Sequence, residues 1–155
     1  MKTKIISKML LSLGLVFVLG SAITQVRGET PPTFPVVSIH STGNVARGQI
    51  GSFVLKMNPT VMFGGIHVNF KVGGTAIAGV DYRALVSPTY IGNSGYATLL
   101  IKTLPDPRAS FDRQAYSVIV KLEPGPGYTI VETGSATEPS SAQMMIEPSN
   151  SGCCQ

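Results

Sequence analysis

The chain has 155 residues, 43% of them hydrophobic and 13% charged, with no tryptophan and two cysteines. That length carries one domain with a core of its own, and the two cysteines, adjacent at positions 153 and 154, cannot staple it, so folding must rest on apolar burial. Lys2, Lys4, Lys8 and Arg27 precede Glu29 while none of the eight acids does, which leaves eight bases and eight acids from Glu29 onward; the formal +4 gives no reason to expect nucleic acid or an anionic membrane surface as partner.

In chain order, the basic start is followed by an apolar run from Met9 to Gly20, then by small residues at Gly20-Ser21-Ala22 and at Gly28. This is the layout of a secretory signal peptide over residues 1–28, with cleavage after Ala22 or Gly28 equally open. The run is shorter than the ~20 residues of a membrane span, so the membrane is expected to serve export alone and an uncleaved anchor is the lesser alternative. The expected location is secreted or cell envelope. Residues 29–35 contain Pro31, Pro32 and Pro35 and read as an extended linker.

Short alternating runs follow. Val36 to Ser41 predicts a first strand, Thr42-Gly43-Asn44 a turn, and Ile50 to Met57 a second strand with Phe53, Leu55 and Met57 on one face. From Ile66 to Val72, Ile66, Val68, Phe70 and Val72 alternate with His67, Asn69 and Lys71, the two-residue period of a half-buried strand. Tyr82 to Val86 predicts a short edge strand, Ile91 to Gly95 a turn, and Tyr96 to Leu104 a strand with Ala97, Leu99 and Ile101 inward. Ala115 to Leu122 and Ala142 to Glu147 complete the set, with a brief pairing expected near Tyr128 to Val131, and residues 148–155 form a tail. No helical stripe of ten residues lies beyond the leader. The pattern predicts an all-β antiparallel sandwich of about seven strands over residues 36–147. At ~1.5–3 kcal/mol for each fully buried apolar side chain, the inward faces suffice without disulfides.

The stretch Gly74-Thr75-Ala76-Ile77-Ala78-Gly79-Val80-Asp81-Tyr82 resembles the GTA-x-AG-x-DY signature of Calx-beta domains, the Ig-like sandwich modules of sodium–calcium exchangers. The likeness runs from about Val36 to Ile146: Tyr116, Val118, Val120 and Leu122 match an F-x-V-x-L strand, Gly127-Tyr128 its turn, and Ala142, Met144 and Ile146 the closing A-x-V-x-I strand. The resemblance implies Ca²⁺ binding at one end of the sandwich through acidic loop residues. On this sequence those positions keep Asp81, Asp106, Asp112 and Glu147, the weak calcium candidates. The family's acid in its V-x-E-G motif falls on Arg47, and Arg108 and Arg113 are interspersed, so cations oppose a bound cation. Ca²⁺ takes six to eight oxygen ligands. Millimolar affinity or none is expected, with Asp81 and Asp106 capping loops and pairing with arginines instead.

Other chemistries are thin. His40 and His67 alternate within strands and read as solvent-facing, Ser94 lacks the spacing of a nucleophile elbow, and Met144-Met145 reads as strand core. Cys153-Cys154 closes the chain, either as a frayed tail or as a link to a second copy through Cys153 or Cys154. The expected function is a non-enzymatic adhesion or interaction module, facing an unknown protein or cell-surface partner, with a degraded calcium site. A calcium-binding domain and a disulfide-linked subunit of a surface assembly are the alternatives.

Overall fold

The computed structural model describes residues 34–61, 64–105, 114–131 and 139–148, all within the compact unit that runs from Pro32 to Gln155. The expected leader, most of the linker, Asp106, Asp112, Arg108, Arg113 and the two cysteines lie outside these residues.

Every regular element among the described residues is a strand, as the period-two runs require. The first sheet sets β1 (Val36–Ser41) between β3 (Ile50–Asn58) and β9 (Thr129–Ile130), with β7 (Tyr96–Lys102) on the far side of β3. β1–β3 and β3–β7 are antiparallel, and the short β1–β9 pairing is parallel. The second sheet has the order β2 (Val45–Ala46), β10 (Ser141–Glu147), β8 (Tyr116–Leu122) and β5 (Phe70–Gly73). A third, two-stranded sheet pairs β4 (Ile66–Val68) with β6 (Thr89–Ile91).

The inward faces of the two larger sheets share one core. Val37, Ile39, Phe53, Leu55, Met57 and Ile101 come from the first; Val118, Val120, Leu122, Met144 and Ile146 from the second. β3 alternates strictly, with Gly51 buried in line with its three large neighbours. A Cβ at Gly51 would stand 2.6 Å from Met144 Sδ, so the missing side chain is the space into which the opposite sheet places its methionine. Burying about a dozen such side chains, at roughly 1.5–3 kcal/mol each, is what opposes chain entropy here.

Several expectations are corrected. The run from Ile66 to Val72 is two strands, because two successive N–H groups at its middle go to side chains: Asn69 to Tyr128 Oη at 3.1 Å and Phe70 to Ser87 Oγ at 3.0 Å. Tyr82 to Val86 is no strand beyond the isolated bridges at Tyr82, since Ser87 is drawn to Phe70 and takes the chain off the edge. Ile91 ends β6 and is fully buried, where a turn was expected. His40 and His67 are exposed, and Met144 is core. Among the described residues the strands number ten rather than about seven, four of them have two or three residues, and the β1–β9 and β2–β10 pairings are parallel where an antiparallel sandwich was expected.

Candidate calcium site and its buried arginine

The signature loop is a closed structure built on its aspartate. Gly74 sits at φ +109°, and a Cβ there would stand 2.2 Å from the Ser117 carbonyl oxygen. Only glycine allows that approach at that dihedral. It brings Thr75 against β8, where Thr75 N–H donates to Ser117 Oγ at 3.0 Å and Ser117 N–H donates to Thr75 Oγ1 at 2.9 Å. Ala76 N–H adds a bond to Ser117 O at 2.9 Å. The next turn is pinned from within. Val80 and Asp81 N–H both donate to Ile77 O, and Asp81 Oδ2 accepts from Ile77 N–H at 2.7 Å. Tyr82 then drops its ring into the core, 3% exposed. The spacing of Gly74, Thr75, Asp81 and Tyr82 is thus a folding device: a close approach, a cross-strand clasp, a cap and a plug.

Arg47 reaches the same place from the other side of the chain. β2 pairs parallel with the end of β10, Ile146 opposite Val45 and Glu147 opposite Ala46. The ladder continues one step, with Arg47 N–H donating to Glu147 O at 2.9 Å, and then the chain turns as Gln49 N–H closes on Ala46 O. Arg47 is left pointing into the molecule. Its guanidinium nitrogen lies 2.7 Å from Asp81 Oδ1, with the two side chains 2% and 0% exposed. Its Cζ lies 5.4 Å from the centroid of the Tyr116 ring, within cation–π range. Desolvation by burial, and secondly the Asp81 charge, push the Tyr82 hydroxyl above its ordinary value of 10.0.

Glu147 stays at the surface. Its Oε1 accepts from Asn44 Nδ2 at 3.0 Å, while Asn44 Oδ1 accepts from Met145 N–H at 3.1 Å. Of the four acids singled out by sequence, the structure therefore brings two to Arg47: Asp81 by its carboxylate and Glu147 by its backbone. Asp106 and Asp112 lie outside the described residues, among which no group of three or more His, Cys, Asp or Glu side chains could hold a metal ion. Tyr116 was legible only as a strand residue; its place beside Arg47 depends on β8 and β2 flanking β10, which no local spacing announces.

Chemically, the pair makes a poor cation site. Both Asp81 oxygens are engaged, one by a guanidinium and one by a backbone N–H. At about 4 Å and an effective dielectric near 20, like unit charges repel by roughly 4 kcal/mol, and a divalent ion doubles that. A Ca²⁺ ion at Asp81 would have to displace Arg47 into solvent or tolerate it.

No protein-family model matches the chain, and no curated protein matches it. Among solved structures it is similar to CBD12 from CALX1.2, with a TM-score of 0.56 and 15% identity over 73% of this chain and 45% of that one. It is also similar to the calcium binding domain CBD12 of CALX1.1, with a TM-score of 0.51 and 15% identity over 71% of this chain and 44% of that one. The chain thus spans less than half the length of either structure. At this identity the likeness is one of fold, and it defines a distant Ig-like β-sandwich.

Proposed function

We infer that this chain is an exported interaction module whose ancestral cation position is filled by its own arginine. The observation that carries the reading is the Arg47–Asp81 contact at 2.7 Å, buried at the end of the sandwich that the Calx-beta resemblance makes the calcium end. A guanidinium supplies there the positive charge that a metal supplies elsewhere, and it needs no supply of ions to do so. The sandwich then offers loops and sheet edges to a protein or cell-surface partner, as rigid β scaffolds do, and carries out no chemistry of its own. The leader-like start, with its basic residues and short apolar run, supports delivery to the envelope or outside.

Isothermal calorimetry of the purified chain against CaCl₂ tests the cation half of this reading. Heats no larger than dilution at micromolar concentrations are expected, and a micromolar, saturable isotherm would replace it with a calcium-binding domain. A pull-down from envelope extract, with the chain as bait, tests the other half: retention of a protein that competes with excess free chain is expected, and the absence of any competed protein contradicts it.

A further inference from the structure

The edge of the first sheet carries a self-complementary strand. In an antiparallel ladder the N–H and C=O of one residue point to the same side, and the side alternates along the strand. Three bonds fix the parity here. Ser52 O accepts from Thr42 N–H, on the β1 side of β3. Met57 N–H donates to Gly95 O, on the β7 side. Lys102 O accepts from Arg83 N–H, away from β3. Since Ser52 stands opposite Leu100 and Val54 opposite Thr98, the backbone groups of Leu100, Thr98 and Tyr96 all point outward from the sheet edge; those of Tyr96 make only long bonds to Ser94 Oγ of the adjoining turn, at 3.3 and 3.4 Å, which a second strand would replace. Among the described residues no backbone bond from beyond the sheet reaches Thr98 or Leu100. Arg83 closes the edge at Lys102, and the turn ending at Gly95 closes it at the other end.

Between Lys102 at one end and Lys56, opposite Tyr96, at the other, the side chains beside this opening are uncharged on the solvent face, where charge is the usual protection of an edge. Tyr96 is 54% exposed, Leu100 50%, and Ile50 on the neighbouring strand 61%. Read in either direction from Thr98, the outward positions are a β-branched centre flanked by one large apolar residue on each side. A second copy laid antiparallel about a two-fold axis at Thr98 therefore sets Thr98 opposite Thr98, and Leu100 opposite Tyr96 twice. Both are favoured cross-strand pairs. The register one residue pair further on would set Tyr96 opposite Lys102, whose C=O holds the Arg83 N–H of another segment at 2.9 Å, a shorter bond to break than the 3.3 and 3.4 Å contacts of Ser94 Oγ with Tyr96. In the favoured one the Lys102 side chains lie at opposite ends of the joint, and no like charges face each other.

We propose that the chain forms a two-fold dimer through β7–β7 edge pairing centred on Thr98, joining two four-stranded sheets into one continuous sheet. The occupant is a second copy because the edge fits itself: it is short, bounded at both ends, uncharged between its terminal lysines and symmetric about its centre. The proposal is independent of the cation reading, and it needs neither Cys153 nor Cys154.

Sedimentation equilibrium of the full chain in a Cys153→Ser/Cys154→Ser background tests it. Twice the monomer mass is expected across a concentration series. Thr98→Pro removes an outward N–H that the folded monomer does not use, so it is expected to give a monomer with an unchanged β-type circular dichroism spectrum. Leu100→Glu is expected to weaken the dimer at least tenfold, and adding Tyr96→Lys to restore it through two new Glu–Lys pairs. The restoration needs the proposed register and guards against misfolding of the proline variant. A monomeric parent chain overturns the proposal, as does a dimer that survives both Thr98→Pro and Leu100→Glu, or a double variant that stays monomeric.

Discussion

Arg47 and Asp81 lie 34 residues apart in sequence and meet at 2.7 Å with almost no exposed surface. One comes from the parallel step between β2 and β10, the other from the loop after β5, so their contact ties the two ends of the second sheet's connections together. A buried ion pair contributes little compared with an apolar pair of the same shape, but losing one partner strands the other.

Arg47→Met should therefore cost about 3–5 kcal/mol, the scale of an uncompensated buried charge. Adding Asp81→Asn should recover a large part, because the amide oxygen can still accept from Ile77 N–H while the orphan charge is gone. Urea unfolding of the two single variants and the double variant measures the coupling. Strict additivity would mean that the contact carries no energy.

Tyr128 closes the junction where one predicted strand becomes two. Its hydroxyl donates to Glu123 O at 2.5 Å and accepts from Asn69 N–H at 3.1 Å. With the ring 4% exposed, Tyr128→Phe leaves two backbone groups without that partner and should cost about 1–3 kcal/mol. The exposed Lys71–Glu123 ion pair nearby is a useful contrast. Lys71→Ala should move stability by less than about 1 kcal/mol. Chemical denaturation of both variants checks the ranking, and equal losses would contradict it.

How far the sequence showed this fold depends on which forces were local. Period-two alternation in Ile50–Asn58 and Tyr96–Lys102 reports a single buried face, and those strands, like Val36–Ser41 where Ser38 is buried between Val37 and Ile39, stand where the sequence puts them to within two residues at each end. β2, β4, β6 and β9 are too short to show a period. They exist because distant partners hold them: β10 holds β2, and β1 holds β9. The break at Asn69 was hidden for the same reason, since its cause is a tyrosine 59 residues away. Within the candidate site, Arg47 was legible as a charge in the wrong place. Its burial, its contact with Asp81 and the ring of Tyr116 beside it are consequences of sheet order that spacing does not encode.

Gly74→Ala tests the reading of the signature loop as a folding device. Its φ of +109° already disfavours any side chain, and the added carbon would overlap Ser117 O at 2.2 Å. Strained backbone of this kind costs about 1–3 kcal/mol, and the overlap adds to it. Gly79, also at positive φ but with nothing near its missing Cβ, should pay for strain alone. Thermal melts of Gly74→Ala and Gly79→Ala should therefore rank in that order, and a reversed ranking contradicts the close approach as the reason for glycine at 74.

Alkaline pH probes the core beside the ion pair. Burial, then the Asp81 charge, raise the folded Tyr82 above the ordinary 10.0 of the unfolded chain. The folded chain then holds this proton to higher pH than the unfolded one. The stability it represents is complete below pH 10.0 and is lost as pH rises through the folded value. Tyr82→Phe should flatten that loss above pH 10 while leaving neutral-pH stability little changed, as read by denaturant midpoints along a pH series. An unaltered alkaline slope in the variant would assign the loss to other groups.

Calcium linkage tests the arginine-for-metal reading most directly. Any ligand that binds the folded chain alone must raise its unfolding midpoint by mass action. Differential scanning calorimetry of the full chain, in EDTA and in excess CaCl₂ at constant ionic strength, should give superimposable transitions, because Arg47 already holds the Asp81 carboxylate. A midpoint that climbs steadily with Ca²⁺ concentration, and falls back on chelation, would mean that the guanidinium yields its place to the ion.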